Sequence, residues 1–120
     1  MNTLRHLKWS DLGWEQMNPL LDRQFISTAG LTVARFALKK GCVVPRHQHE
    51  NEQVAMVLEG ALKFGMDDRE VVVRAGEALC IPPNLPHSAE ALEDTRVMDI
   101  FAPPRADWAR QADAYLREKK

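Results

Sequence analysis

Gly41-Cys-Val-Val-Pro45-Arg-His47-Gln-His49-Glu-Asn-Glu-Gln53-Val-Ala-Met-Val-Leu-Glu-Gly60 is the stretch on which the reading of this chain turns. Pro45 favours an extended backbone ahead of His47, and side chains two residues apart on a strand share a face. The imidazoles of His47 and His49 are therefore expected to point the same way. Gln53 follows four residues later and opens a strand that Gly60 turns. Imidazole is a common ligand for borderline divalent metals, and an amide oxygen can complete such a site. A lone His-x-His also occurs on many surfaces, so spacing by itself leaves a solvated pair open. His6 illustrates that case, since nothing around it suggests a ligand.

Outward from this stretch the chain reads as an antiparallel all-β domain, with short apolar runs broken by Gly, Pro, Asn or Asp. Leu31–Leu38 is a strand with Ala34, Phe36 and Leu38 on one face. Ala61–Met66 and Val71–Val73 flank a hairpin tip at Asp67-Asp68. Ala78–Ile81 reads as a short buried strand. Pro82-Pro83-Asn84-Leu85-Pro86 lacks three ladder donors and must be a rigid loop, which delivers His87 at the head of the next strand. Val97–Phe101 is the last strand of the series. Pro103-Pro104 can open a C-terminal helix, expected at about 104–118, with Trp108, Ala112, Tyr115 and Leu116 at helical spacing and with Trp108, Ala112 and Leu116 packed on the outside of the barrel. Residues 1–29, with Trp9, Leu12, Trp14 and Phe25, read as a covering arm.

Bulk properties bound the function. The chain has 120 residues, 45% apolar and 28% charged, enough for one small core in a single domain. A core of this size favours self-association, and a two-fold homodimer is the expected form. The formal charge is −1 with no basic block, so nucleic acid is not an expected partner. No apolar run reaches membrane-spanning length, and the N-terminal residues lack the apolar region of an export signal. Cys42 and Cys80 then read as free, buried thiols in a reducing cytosol.

The spacings around the histidines resemble the two cupin motifs. Gly41, His47, His49 and Gly60 fall at the intervals of the first, with Gln53 where an acid usually stands. Gly76, Pro82 and His87 match the second, with Asn84 in place of a glycine and Ala91 in place of the terminal asparagine. The resemblance implies a jelly-roll barrel over about residues 30–102. It also implies one divalent ion, whether Zn, Ni, Mn, Co or Fe, held by His47, His49, Gln53 and His87. Glu52 would face away from Gln53 on a regular strand, which favours Gln53 as the ligand. A neutral glutamine leaves the metal its full charge, which suits an anionic ligand and Lewis-acid chemistry better than redox cycling. Ala55, Ala89 and Ala91 share faces with these residues, where they either leave room for a ligand or simply fit a narrow barrel.

A narrower resemblance covers most of residues 30–108. Asn51-Glu52-Gln53, Val57-Leu58-Glu59-Gly60, Ile81-Pro82-Pro83-Asn84-Leu85-Pro86-His87, Ala91-Leu92-Glu93-Asp94 and Asp99-x-Phe101-x-Pro103-Pro104-Arg105 look like the KdgF-type pectin-degradation cupins. These enzymes linearise 4,5-unsaturated uronates from pectin or alginate. The resemblance implies that Asp99, Phe101 and Arg105 contact the sugar. From pattern alone, Asp99 could face solvent or a cavity, and Arg105 could be a carboxylate clamp or a solvated first-turn residue. A metal-dependent oxygenase and a non-catalytic sugar- or metabolite-binding protein remain the alternatives.

Overall fold

Alternation of side chains along extended segments is realised in ten strands among the described residues. The computed structural model describes residues 3–110 and 113–117. The strands are β1 (Glu15–Asn18), β2 (Leu21–Ser27), β3 (Thr32–Leu38), β4 (Val43–His47), β5 (Glu52–Glu59), β6 (Ala61–Gly65), β7 (Glu70–Arg74), β8 (Ala78–Ile81), β9 (His87–Ala91) and β10 (Thr95–Ala102). They form a six-stranded sheet in the order β1-β2-β3-β10-β5-β8 and a four-stranded sheet in the order β4-β9-β6-β7. Every pairing is antiparallel, as in a double-sheet jelly roll.

The core lies between the two sheets. From the larger sheet, Ala34, Phe36, Leu38, Ala55, Val57, Val97 and Phe101 turn inward; from the smaller come Leu62, Phe64, Val73, Ala89 and Ala91. Each large apolar side chain buried there contributes about 1.5–3 kcal/mol. Gly60 joins β5 to β6 at φ 85°. A Cβ at that position would run into the Asp94 carbonyl and Thr95, so the β5–β6 corner accepts only glycine. Asn84, which replaces the glycine of the second motif, takes φ 64°, a conformation asparagine tolerates.

Three expectations are corrected. Part of the covering arm is sheet: β1 and β2 extend the six-stranded sheet, and Phe25 packs edge-on against Trp108 at 5.2 Å. The 3-10 turn Trp9–Asp11 is held to the sheet by Gln24 Nε2, which donates to the Trp9 and Leu12 carbonyls. Cys42 is buried, but Cys80 is exposed, because β8 is an edge strand and position 80 faces outward. Finally, the C-terminal helix is two separate turns, α1 (Ala106–Ala109) and α2 (Ala114–Arg117). Trp108 and Leu116 pack into the core rather than on the outside of the barrel; Ala112 lies outside the described residues.

Candidate metal centre and cavity

Period-two alternation aims three site residues into the space between the sheets. Gln53 pairs with Phe101 and Ala55 with Asp99 across β5 and β10, so Gln53, Asp99 and Phe101 share the inner face of the larger sheet. All three are buried, whereas Glu52 is exposed. From the opposite sheet, His47 at the end of β4 pairs directly with His87 at the start of β9. His49 lies just beyond β4, not within it, yet still turns to the same point. The proline-rich loop before β9 is tied to it, with the Asn84 N–H donating to the His49 carbonyl at 2.8 Å. His47, His49 and His87 each offer a nitrogen within 4.8 Å of the others, placed to bind a metal.

The tautomers follow from their partners. Each Nδ1 faces a backbone carbonyl, which can only accept: His47 that of Pro45 at 2.8 Å, His49 that of Asn51 at 3.0 Å, and His87 that of Leu85 at 2.8 Å. The proton must therefore sit on Nδ1, and each Nε2 carries a lone pair. Burial pushes His47 down to about 3 and His49 to about 4, and it also lowers His87, so the rings are neutral near pH 7. His49 Nε2 then faces Gln53 Oε1 at 3.2 Å, two acceptors at hydrogen-bond distance. A cation between them converts that repulsion into ligation, so the donor set fits a divalent ion bound by His47, His49, His87 and Gln53.

Asp99 stands behind Gln53. Its Oδ1 is buried with no hydrogen-bond partner among the described residues. Burial pushes its carboxyl up to about 7, against the pull of the Gln53 amide and the Arg105 guanidinium. Arg105 is not a solvated helix residue: it is 3% exposed. Its Nε and Nη2 donate to the Asp107 carboxylate at 2.9 and 2.6 Å, and Nη2 also donates to the Tyr115 hydroxyl at 2.6 Å. The guanidinium lies over the rings of Phe101 and Trp108, 4.6 and 4.4 Å from their centroids. A carboxylate thus already occupies one edge of the fork, leaving Nη1 for a ligand. Asn51, buried, donates from Nδ2 to the Pro103 and Pro104 carbonyls and so sets the loop that carries Arg105.

Sequence reading missed Asp107 and Tyr115 as members of this site. Asp107 could have been suspected from its spacing to Arg105. Nothing local marks Tyr115, which reaches the cavity through a tail bolted to β1 and β2. Asp113 pairs with Arg23 at 3.1 Å, both buried, and Arg117 pairs with Asp113 and Glu15. Asn18 Nδ2 donates to the Leu116 carbonyl at 2.8 Å. Tyr115, Leu116 and Trp108 roof a cavity of about 60 Å³ whose floor includes His47, Gln53, His87 and Asp99. Ala55, Ala89 and Ala91 all belong to the core, and Ala89 also lines the cavity. That volume takes about four to six water-sized groups, enough for an ion and a carboxylate, and the cavity opens to solvent.

Residues 34–101 match the family model described as Cupin domain. Among solved structures, KdgF from Halomonas sp. superposes with a TM-score of 0.77 at 29% identity, over 82% of this chain and 94% of that one. An RmlC-like cupin from Shewanella frigidimarina gives 0.81 at 25% identity, over 88% and 96%. The polyketide cyclase RemF from Streptomyces resistomycificus shares the fold, with a TM-score of 0.70 at 20% identity over 83% and 80%. No curated protein sequence matches the chain.

Proposed function

Because this chain belongs to the cupin domain family, we propose that its cavity is the active site of a metal-dependent enzyme opening the ring of 4,5-unsaturated uronates. The observation that carries the reading is Asp99, a carboxyl poised near neutrality inside a site with no net charge of its own. The histidines and Gln53 are neutral, and Arg105 is balanced by Asp107. The likeness to KdgF supports the same assignment. A divalent ion, when bound, supplies a positive charge that attracts a carboxylate and stabilises charge shifting within it.

The chain's residues divide the remaining work. A 4,5-unsaturated uronate is an enol ether, with C5 bonded to the ring oxygen. Opening adds a proton at C4 and a hydroxyl at C5, and the resulting hemiketal breaks its bond to the ring oxygen to leave a 5-keto group. The water consumed at C5 is returned when the freed C1 hydrate becomes an aldehyde. Asp99 delivers the proton to C4 and takes one from the water, Arg105 Nη1 holds the carboxylate, and Phe101 packs against the sugar.

The expected result is accelerated loss of the unsaturated uronate's ultraviolet absorbance, with the open keto product seen by NMR. A wild-type protein that leaves the spontaneous rate unchanged removes the reading. Oxygen consumption in place of ring opening would favour the oxygenase alternative, and saturable binding without turnover the binding protein. For the assembly we propose a two-fold homodimer across the outer face of the larger sheet. There the cross-strand neighbours Val54, Met56, Met98 and Ile100 form a half-exposed apolar patch outside the core cluster. Light scattering should give twice the chain mass, and a monomer at high concentration would remove this assignment.

A further inference from the structure

Tyr115 has a hydroxyl whose hydrogen-bonding is only half accounted for. Its oxygen accepts from Arg105 Nη2 at 2.6 Å and from Trp108 Nε1 at 3.3 Å. With two donors aimed at that oxygen, its own proton must point elsewhere. Among the described residues nothing accepts it, and the side chain lines the cavity. The ring is stacked on His47, 4.5 Å between centroids and 26° from parallel, which fixes the phenol beside the three histidines. Its neighbours in sequence are pinned as well, by the buried Asp113–Arg23 pair and by Asn18 on the Leu116 carbonyl.

We propose that Tyr115 is a ligand-binding residue of this cavity, its hydroxyl donating a hydrogen bond to an oxygen of the carboxylate held by Arg105 Nη1. This rests on the reading that the cavity takes a carboxylate, and it extends that reading to a residue contributed by the C-terminal turn. The Arg105 guanidinium and the Tyr115 hydroxyl touch each other and present adjacent donors on one wall, an arrangement suited to the two oxygens of a single carboxylate.

The probe is acetate, which fits the cavity, titrated by calorimetry into zinc-loaded protein. Wild type should bind it, with a change in the phenol's near-ultraviolet absorption that Tyr115→Phe lacks. Tyr115→Phe keeps the ring on His47, so zinc content and melting temperature should hold. Its acetate dissociation constant should rise roughly ten- to hundredfold, as for a lost hydrogen bond to a charged group. Equal affinity in wild type and Tyr115→Phe overturns the proposal, as does a wild type that binds no acetate or shows no change in phenol absorption. The uronate assay is read separately. Turnover with unchanged acetate affinity sinks only Tyr115, and weakened acetate binding without turnover sinks only the uronate assignment.

Discussion

Replacing Asp99 with asparagine should lower turnover of a 4,5-unsaturated uronate by at least about 100-fold while raising the melting temperature of the metal-free protein at pH 8. Both effects have one cause. Burial raises the Asp99 carboxyl from its ordinary 3.8 to about 7, which suits it to move protons but makes its ionised form costly in the fold. The sign follows from linkage. A group whose folded pKa is raised contributes stability that is fully present below about pH 4 and is lost as pH rises through about 7. The full rise corresponds to at most about 4 kcal/mol, and structural relaxation reduces it to about 2 kcal/mol, or roughly 5–10 °C. The histidines act in the opposite sense. Their folded values lie below 6.5, so the stability they carry is present above that pH and lost as pH falls. The difference between wild type and Asp99→Asn cancels the histidines and isolates the carboxyl. Melting curves that differ by the same amount at pH 5 and pH 8, or undiminished turnover, would reject the role assigned to Asp99.

The second large effect is loss of the metal. Purified protein should carry close to one divalent ion per chain, and His49→Ala should lose most of it by elemental analysis. His49 is the informative ligand because its Nε2 and the Gln53 oxygen face each other as two acceptors. Metal present at 100 times its dissociation constant stabilises the fold by about 2.7 kcal/mol, so a chelator should lower the wild-type melting temperature by several degrees and leave His49→Ala unmoved. Gln53→Glu should retain the ion yet weaken acetate binding and turnover, because the added negative charge opposes an anionic ligand. Protein without metal at any pH where the histidines are neutral would end the reading.

Much of the fold was legible because strand periodicity is local. Ala34, Phe36 and Leu38 alternate inward as their spacing implied, and Gln53 is buried while Glu52 is exposed. The N-terminal strands were hidden by polarity. Arg23 and Gln24 are buried inside β2, a pattern that reads as surface until their partners are known. Arg23 is tolerated there because Glu15 and Asp113 flank it, and Asp113 comes from the far end of the chain. The same distance hid the roof of the cavity: helical spacing marked Trp108 and Leu116 as apolar and suggested the outside of the barrel, whereas both pack into the core.

Alternation, proline and glycine placement by themselves determined an antiparallel all-β domain with His47 and His49 on one face, while the barrel and the convergence of His87 with them were what the resemblance to the cupin motifs implied. Only the tertiary structure decided the direction in which Asp99 faces, because alternation gives two faces without saying which is inside. Tertiary structure likewise decided that Tyr115 stands over His47 and meets Arg105. Those relations join side chains on separate elements, and they form only when the C-terminal tail is drawn onto β1 and β2 by ion pairs spanning nearly the whole chain. Local spacing carries no record of such contacts, so the chemistry of the site was set by packing between segments remote in sequence.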